Sequence, residues 1–262
     1  MDRPLTRASS TAALALALAL VATAAPRAAA QPAPTPTRID VHVVARDAKL
    51  IGSAVGGAEV TIRDAHTGEV LAEGVHEGGT GDTGLIMGPR ERGVDVFDTP
   101  GAAVFSAELP LTAPRSIRIE ASGPLDYPSA RERAETTLLV VPGRHLEGDG
   151  VVLELWGYIV EIVDVGSNVA DAGGLGVAAR VTMLCSCPTE PGGLWEAGGV
   201  TARLIGDDGS LVSETELAYL GEDSTYGGDL GTPDPGIYEI QVIAVSAKTG
   251  NAGRIRAELR VN

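Results

Sequence analysis

Short runs rich in Val, Ile and Thr recur every ten or so residues along this chain, each closed off by Gly, Asp or Pro, and no apolar pattern of helical period lasts three turns. Runs of that length cannot build a helical core, but they suit strands that bury one face and turn sharply. The chain is therefore expected to be all-β. Its 34 glycines and 16 prolines supply the turns.

Two sets of strands can be read. Ile39–Val44, Glu59–Ile62, Val70–Leu71, Val104–Leu109, Ser116–Glu120, Thr137–Val141 and Val151–Leu155 form the first. The second comprises Ile159–Val163, Val177–Cys187, Val200–Leu204, Leu217–Tyr219, Tyr238–Ala244 and Arg254–Leu259. Two tandem β-sandwich domains follow, over residues 38–155 and 156–262, with the boundary near Leu155 to Gly157. Alternation is clearest at Ile39–Val43 and Ile117–Ile119, so one face of that sheet is expected to be wet. Asp207-Asp208-Gly209-Ser210 and Gly250-Asn251 have the chemistry of hairpin turns, because Asp, Asn and Gly tolerate positive φ. Gly78 to Gly101 is a long connection, either a functional loop or an irregular hairpin.

The N-terminus reads as a secretory signal over residues 1–30. Arg3 and Arg7 precede a short apolar run from Thr11 to Ala25, and Ala28-Ala29-Ala30 offers small residues for cleavage before Gln31. A Pro-rich leader over residues 31–37 is expected to be an unstructured tether. No later segment approaches the roughly 20 apolar residues that span a bilayer. The predicted location is periplasmic or secreted, without an integral membrane segment. Cleavage leaves 17 basic residues against 34 acidic, a net charge of about −17, which excludes nucleic acid as a natural partner because phosphate binding needs a basic footprint.

Two resemblances carry the fold further. Gly57-Ala58-Glu59-Val60-Thr61-Ile62-Arg63-Asp64, with Thr67-Gly68 and Val70-Leu71 after it, resembles the second and third strands of the carboxypeptidase regulatory-like (transthyretin-like) sandwiches. That resemblance implies a generally non-catalytic appended module. The transthyretin relatives that hydrolyse 5-hydroxyisourate end in Tyr-Arg-Gly-Ser, whereas this chain ends Leu259-Arg260-Val261-Asn262, so that activity is not implied. Asp234-Pro235-Gly236-Ile237-Tyr238 is similar to the tyrosine corner of immunoglobulin-like domains, although Ile240 stands where their second cysteine would be.

The only two cysteines lie one residue apart in Met183-Leu184-Cys185-Ser186-Cys187-Pro188. In an exported protein they form either a small disulfide or a soft-metal clip. Were Arg180 to Cys187 a strand, Met183, Cys185 and Cys187 would share one face. Same-face neighbours sit roughly 6.6–6.8 Å apart, at the upper edge of disulfide reach, so a bond would require a kink at Ser186-Cys187-Pro188. Three soft sulfurs at this spacing would suit copper(I).

Other chemistry has little anchor. G-x-S-x-G, H-E-x-x-H, P-loop and EF-hand patterns do not occur. Asp82-Thr83-Gly84 matches the aspartic-protease tripeptide but lacks a second copy, so it reads as a turn. His66 is expected to sit exposed in a hairpin and His42 on the wet face; His76 and His145 are scattered, though two of the four could meet across a sheet and bind metal. Trp195, in a Gly/Pro loop beside the cysteines, either stacks on a ligand or plugs the core. The reading is a non-catalytic exported binding or accessory protein of the bacterial cell envelope, not an enzyme, with no cofactor. Its partner would be another envelope protein or a small ligand. The alternative is a periplasmic copper-handling protein using Met183, Cys185 and Cys187.

Overall fold

The computed structural model describes residues 33–166 and 174–262, which pack as one compact unit. The predicted signal and the start of the leader lie outside the described residues. Fifteen strands are described, and they form four sheets.

In the first half, β1 (Thr35–Ala45) lies between β4 (Phe105–Leu111), antiparallel to it, and β7 (Leu146–Leu155), parallel to it. The facing sheet is wholly antiparallel, in the order β3-β2-β5-β6 (Val70–His76, Ala58–Asp64, Arg115–Gly123, Glu132–Val140). Ile39, Val41 and Val43 from one sheet and Val60, Ile62, Ile117 and Ile119 from the other are all fully buried between them. The leader is not a free tether: Thr35, Pro36 and Thr37 already pair with Leu111, Pro110 and Leu109. Proline is tolerated there because it lies at the start of the strand.

The second half has one sheet in the order β12-β13-β9-β8 (Ala218–Tyr219, Thr225–Asp229, Gly176–Met183, Tyr158–Gly166) and one in the order β11-β10-β14-β15 (Leu211–Glu216, Gly199–Gly206, Gly236–Val245, Ala252–Val261). Lettered A to G in chain order with β11 as C′, these are a D-E-B-A sheet and a C′-C-F-G sheet, the immunoglobulin arrangement. The chain is thus all-β, two β-sandwiches in tandem, and the second is immunoglobulin-like. Tyr238, near the start of β14, donates its hydroxyl to Asp234 O at 2.7 Å, which is the tyrosine corner. Ile240, two residues on, is buried in the core.

Asn251 ties the halves together. Fully buried in the β14–β15 hairpin, it accepts from Gly157 N at 3.0 Å through Oδ1 and donates to Arg46 O at 3.0 Å through Nδ2. Arg46 pairs with Glu154 at 3.0 Å and lies over Trp156, 4.5 Å from the ring centroid. Gly250, at φ +80°, leaves room for that indole, since a Cβ there would approach Trp156 Cζ3 to 2.9 Å. The apolar core runs on through Leu155, Tyr158 and Ile159.

Candidate functional site

The Gly78–Gly101 connection is where the first sandwich departs from regularity. Its ends meet: Gly79 N donates to Gly101 O at 2.7 Å, and Gly79 and Ala102 form a bridge. Within it, Thr83–Met87 forms the short helix α1, and Asp82 accepts from Leu85 N at 2.9 Å as its N-cap. Asp82-Thr83-Gly84 is therefore a capping turn. Further on, Val96 N and Phe97 N each donate to Asp149 Oδ1 at 2.7 Å, which fastens the insertion to β7.

This insertion lies over the outer face of β1. Ile86, Val96 and Phe97 pack with Val44, Leu50 and Ala103 in a second apolar cluster. The face expected to be wet at His42 is consequently dry, with His42 only 1% exposed. Sequence alternation assigned His42 correctly to the face opposite Val41 and Val43, but the cover comes from residues far along the chain. On β5 the expectation holds, with Ile117 and Ile119 buried and Arg118 on the other face.

At the end of β1 the insertion leaves a cleft of about 500 Å³. Val44, Ile86, Met87, Phe97 and Val152 give it apolar walls, and Arg90, Asp47 and Glu154 stand among the residues around it. Arg90 lies over the Phe97 ring, 4.7 Å from its centroid. Glu154 is engaged by Arg46.

The four histidines separate into two kinds. His66 and His145 are exposed, the latter accepting from Arg38 N at 3.0 Å. His42 and His76 do approach each other, with ring centroids 6.3 Å apart and edge-on. Their nitrogens face backbone, however. His76 accepts from Val43 N at 3.1 Å and contacts Ile51 O at 3.0 Å. Burial pushes its pKa down to about 4, and the proximity of His42 acts in the same direction. Among the described residues no group of three or more His, Cys, Asp and Glu side chains is placed to hold a metal ion.

Cys185 and Cys187 are joined in a disulfide, with Cα atoms 5.4 Å apart. They do not continue the strand: β9 ends at Met183, Ser186 N donates to Met183 O at 2.8 Å, and Ser186 takes φ +61°. The single-face arrangement of Met183, Cys185 and Cys187 expected from a continuous strand is replaced by this turn. The kink a bond requires is thus present at Ser186. All three residues are at most 5% exposed. A copper clip on Met183, Cys185 and Cys187 would need that bond reduced first, because a disulfide leaves no thiolate to bind metal. Trp195 is half-buried against the main core.

Sequence reasoning missed the cleft itself, together with Asn251 and Asp149. The unusual length of the Gly78–Gly101 connection was the one available signal. Among the described residues no helix is long and apolar enough to cross a membrane.

No protein-family model matches the chain, and no curated protein does either. Among solved structures, the titin domains Z1Z2 in complex with telethonin match at 15% identity over 88% of this chain and 98% of that one, with a TM-score of 0.24. A likeness of that size carries no argument, so the architecture rests on the sheets described above.

Proposed function

We propose that this chain is a non-catalytic, exported binding or accessory protein of the bacterial cell envelope, and that it binds through the cleft beneath the Gly78–Gly101 insertion. The cleft carries the reading: about 500 Å³ of space, with apolar walls and a few charged groups around it, is the form small-ligand and side-chain sites take. Val44, Ile86, Met87 and Phe97 would hold an apolar group, and Arg90 and Asp47 would meet its polar ends. Support for export comes from the signal-like residues 1–30 and from the Cys185–Cys187 disulfide, a bond that persists in oxidising compartments. The β2–β3 hairpin at Ala58–His76 fits a first sandwich of the carboxypeptidase regulatory-like kind. Residues 38–155 and 156–262 are proposed as its two folding units.

The test is amide chemical-shift mapping of the mature protein titrated with indole, phenol and benzoate, on wild type and Met87→Glu. Shifts confined to residues around Ile86, Arg90, Phe97 and Val152, and lost in the variant, support the site. Shifts elsewhere, or equal in both proteins, reject it.

A further inference from the structure

His42 faces two acceptors at once. Its Nδ1 lies 2.9 Å from Ala103 O and its Nε2 3.1 Å from Gly148 O, deep beneath the insertion. A carbonyl oxygen can only accept, and a neutral imidazole carries a single N–H. Neutral His42 therefore satisfies one contact and sets a lone pair against the other oxygen; the imidazolium donates to both. The two carbonyls belong to different walls, since Ala103 follows the insertion directly before β4 and Gly148 lies in β7. Phe97, from the insertion, stacks on the same ring with centroids 6.1 Å apart and planes 28° from parallel.

We propose that His42 is a pH-operated latch: doubly protonated, it ties the root of the insertion to β1 and β7, and on losing a proton it gives up one tie and loosens the insertion over the cleft.

The charged and titratable groups around the ring come from several elements. Asp40 shares the outer face of β1 and is already bonded by Arg38 and Ser106. Asp95, from the insertion, approaches Gly148, and Asp149 of β7 holds the 96–97 amides. Arg90 stands over Phe97. The neighbour on β3 is His76, whose Nε2 must keep its lone pair to accept from Val43 N and which is held neutral by burial down to about pH 4. His42, by contrast, accepts from no N–H, and both of its ring nitrogens face carbonyl oxygens, so it is the ring that can carry a second proton without giving up a contact. The latch is a property of the fold and stands whether or not the cleft takes a ligand.

Long-range 1H–15N correlation of the imidazoles, with amide hydrogen exchange corrected for intrinsic rates, at pH 5.5 and pH 8 tests it on the wild-type protein. Two slowly exchanging ring N–H groups on His42 at pH 5.5 and one at pH 8 are expected, with the amides of Val96, Phe97 and Ala103 about tenfold less protected at pH 8, the loss of roughly one hydrogen bond. His42→Phe should abolish the pH dependence of that protection. A single ring N–H at both pH values, equal protection, or a pH dependence that survives in His42→Phe would overturn the proposal.

Discussion

Asn251→Ala is the sharpest probe of how the two sandwiches are joined. The side chain is fully buried and makes two hydrogen bonds, to Gly157 N and Arg46 O, each at 3.0 Å. Alanine removes both partners at once. Leaving a buried backbone donor or acceptor unsatisfied costs about 1–3 kcal/mol, so the two together set an expectation of about 2–4 kcal/mol once water reaches one of them through the vacated space. The loss falls on the junction, because Asn251 touches the connector and the β1 end rather than the interior of either sandwich. Urea denaturation followed by Trp156 and Trp195 fluorescence and by far-ultraviolet circular dichroism reads both quantities. Wild type should unfold in a single coincident transition; the variant should lose stability by the stated amount and separate into two transitions. A loss below about 0.5 kcal/mol, with the transitions still coincident, would refute the claim that Asn251 couples residues 38–155 to residues 156–262.

Tyr238→Phe deletes the hydroxyl that donates to Asp234 O and should cost about 1 kcal/mol in urea denaturation; no measurable loss would remove the corner assignment. His76 has a folded pKa of about 4, below the unfolded value near 6.5, so its contribution is intact above the unfolded pKa and is lost as pH falls from about 6.5 toward 4. That amounts to about 3 kcal/mol, and His76→Gln should flatten this part of the stability profile measured between pH 7 and pH 4.5; an unchanged slope would contradict the assignment. For the cysteines, reduction should add two hydrogens by mass and lower the melting temperature, and reduced wild type, Cys185→Ser and Met183→Leu should hold copper(I) equally weakly in a competition titration. A graded loss across those variants would instead establish the copper reading.

What could be read from the sequence depended on whether a residue's neighbours were local. β5, with apolar residues at every second position, was legible in type and in face, and β14 was legible in type. β13 was not, because Gly227 and Gly228 in Thr225–Asp229 carry no pattern, and β11 was not, because its residues are largely exposed. The run Val177–Cys187 read as one strand; only the turn closed by the disulfide ends it at Met183. His42 shows the deeper limit, since alternation fixes which way a side chain points but not what covers it. The cover is Phe97 and its neighbours, held by Asp149, a carboxylate more than fifty residues along the chain from the amides it binds. Asn251 looks like an ordinary turn residue for the same reason, with one of its partners at Arg46.

The Gly78–Gly101 insertion is proposed to build the binding surface and not the fold. Replacing residues 80–100 with a two-glycine turn tests this most directly, because Gly79 and Gly101 are already hydrogen-bonded at 2.7 Å and the excision strains neither end. The shortened protein should keep its β-sheet circular dichroism and cooperative unfolding at reduced stability, while losing the shifts induced by indole, phenol and benzoate. A shortened protein that still binds those probes as wild type does, or that no longer folds, would contradict that role for the insertion.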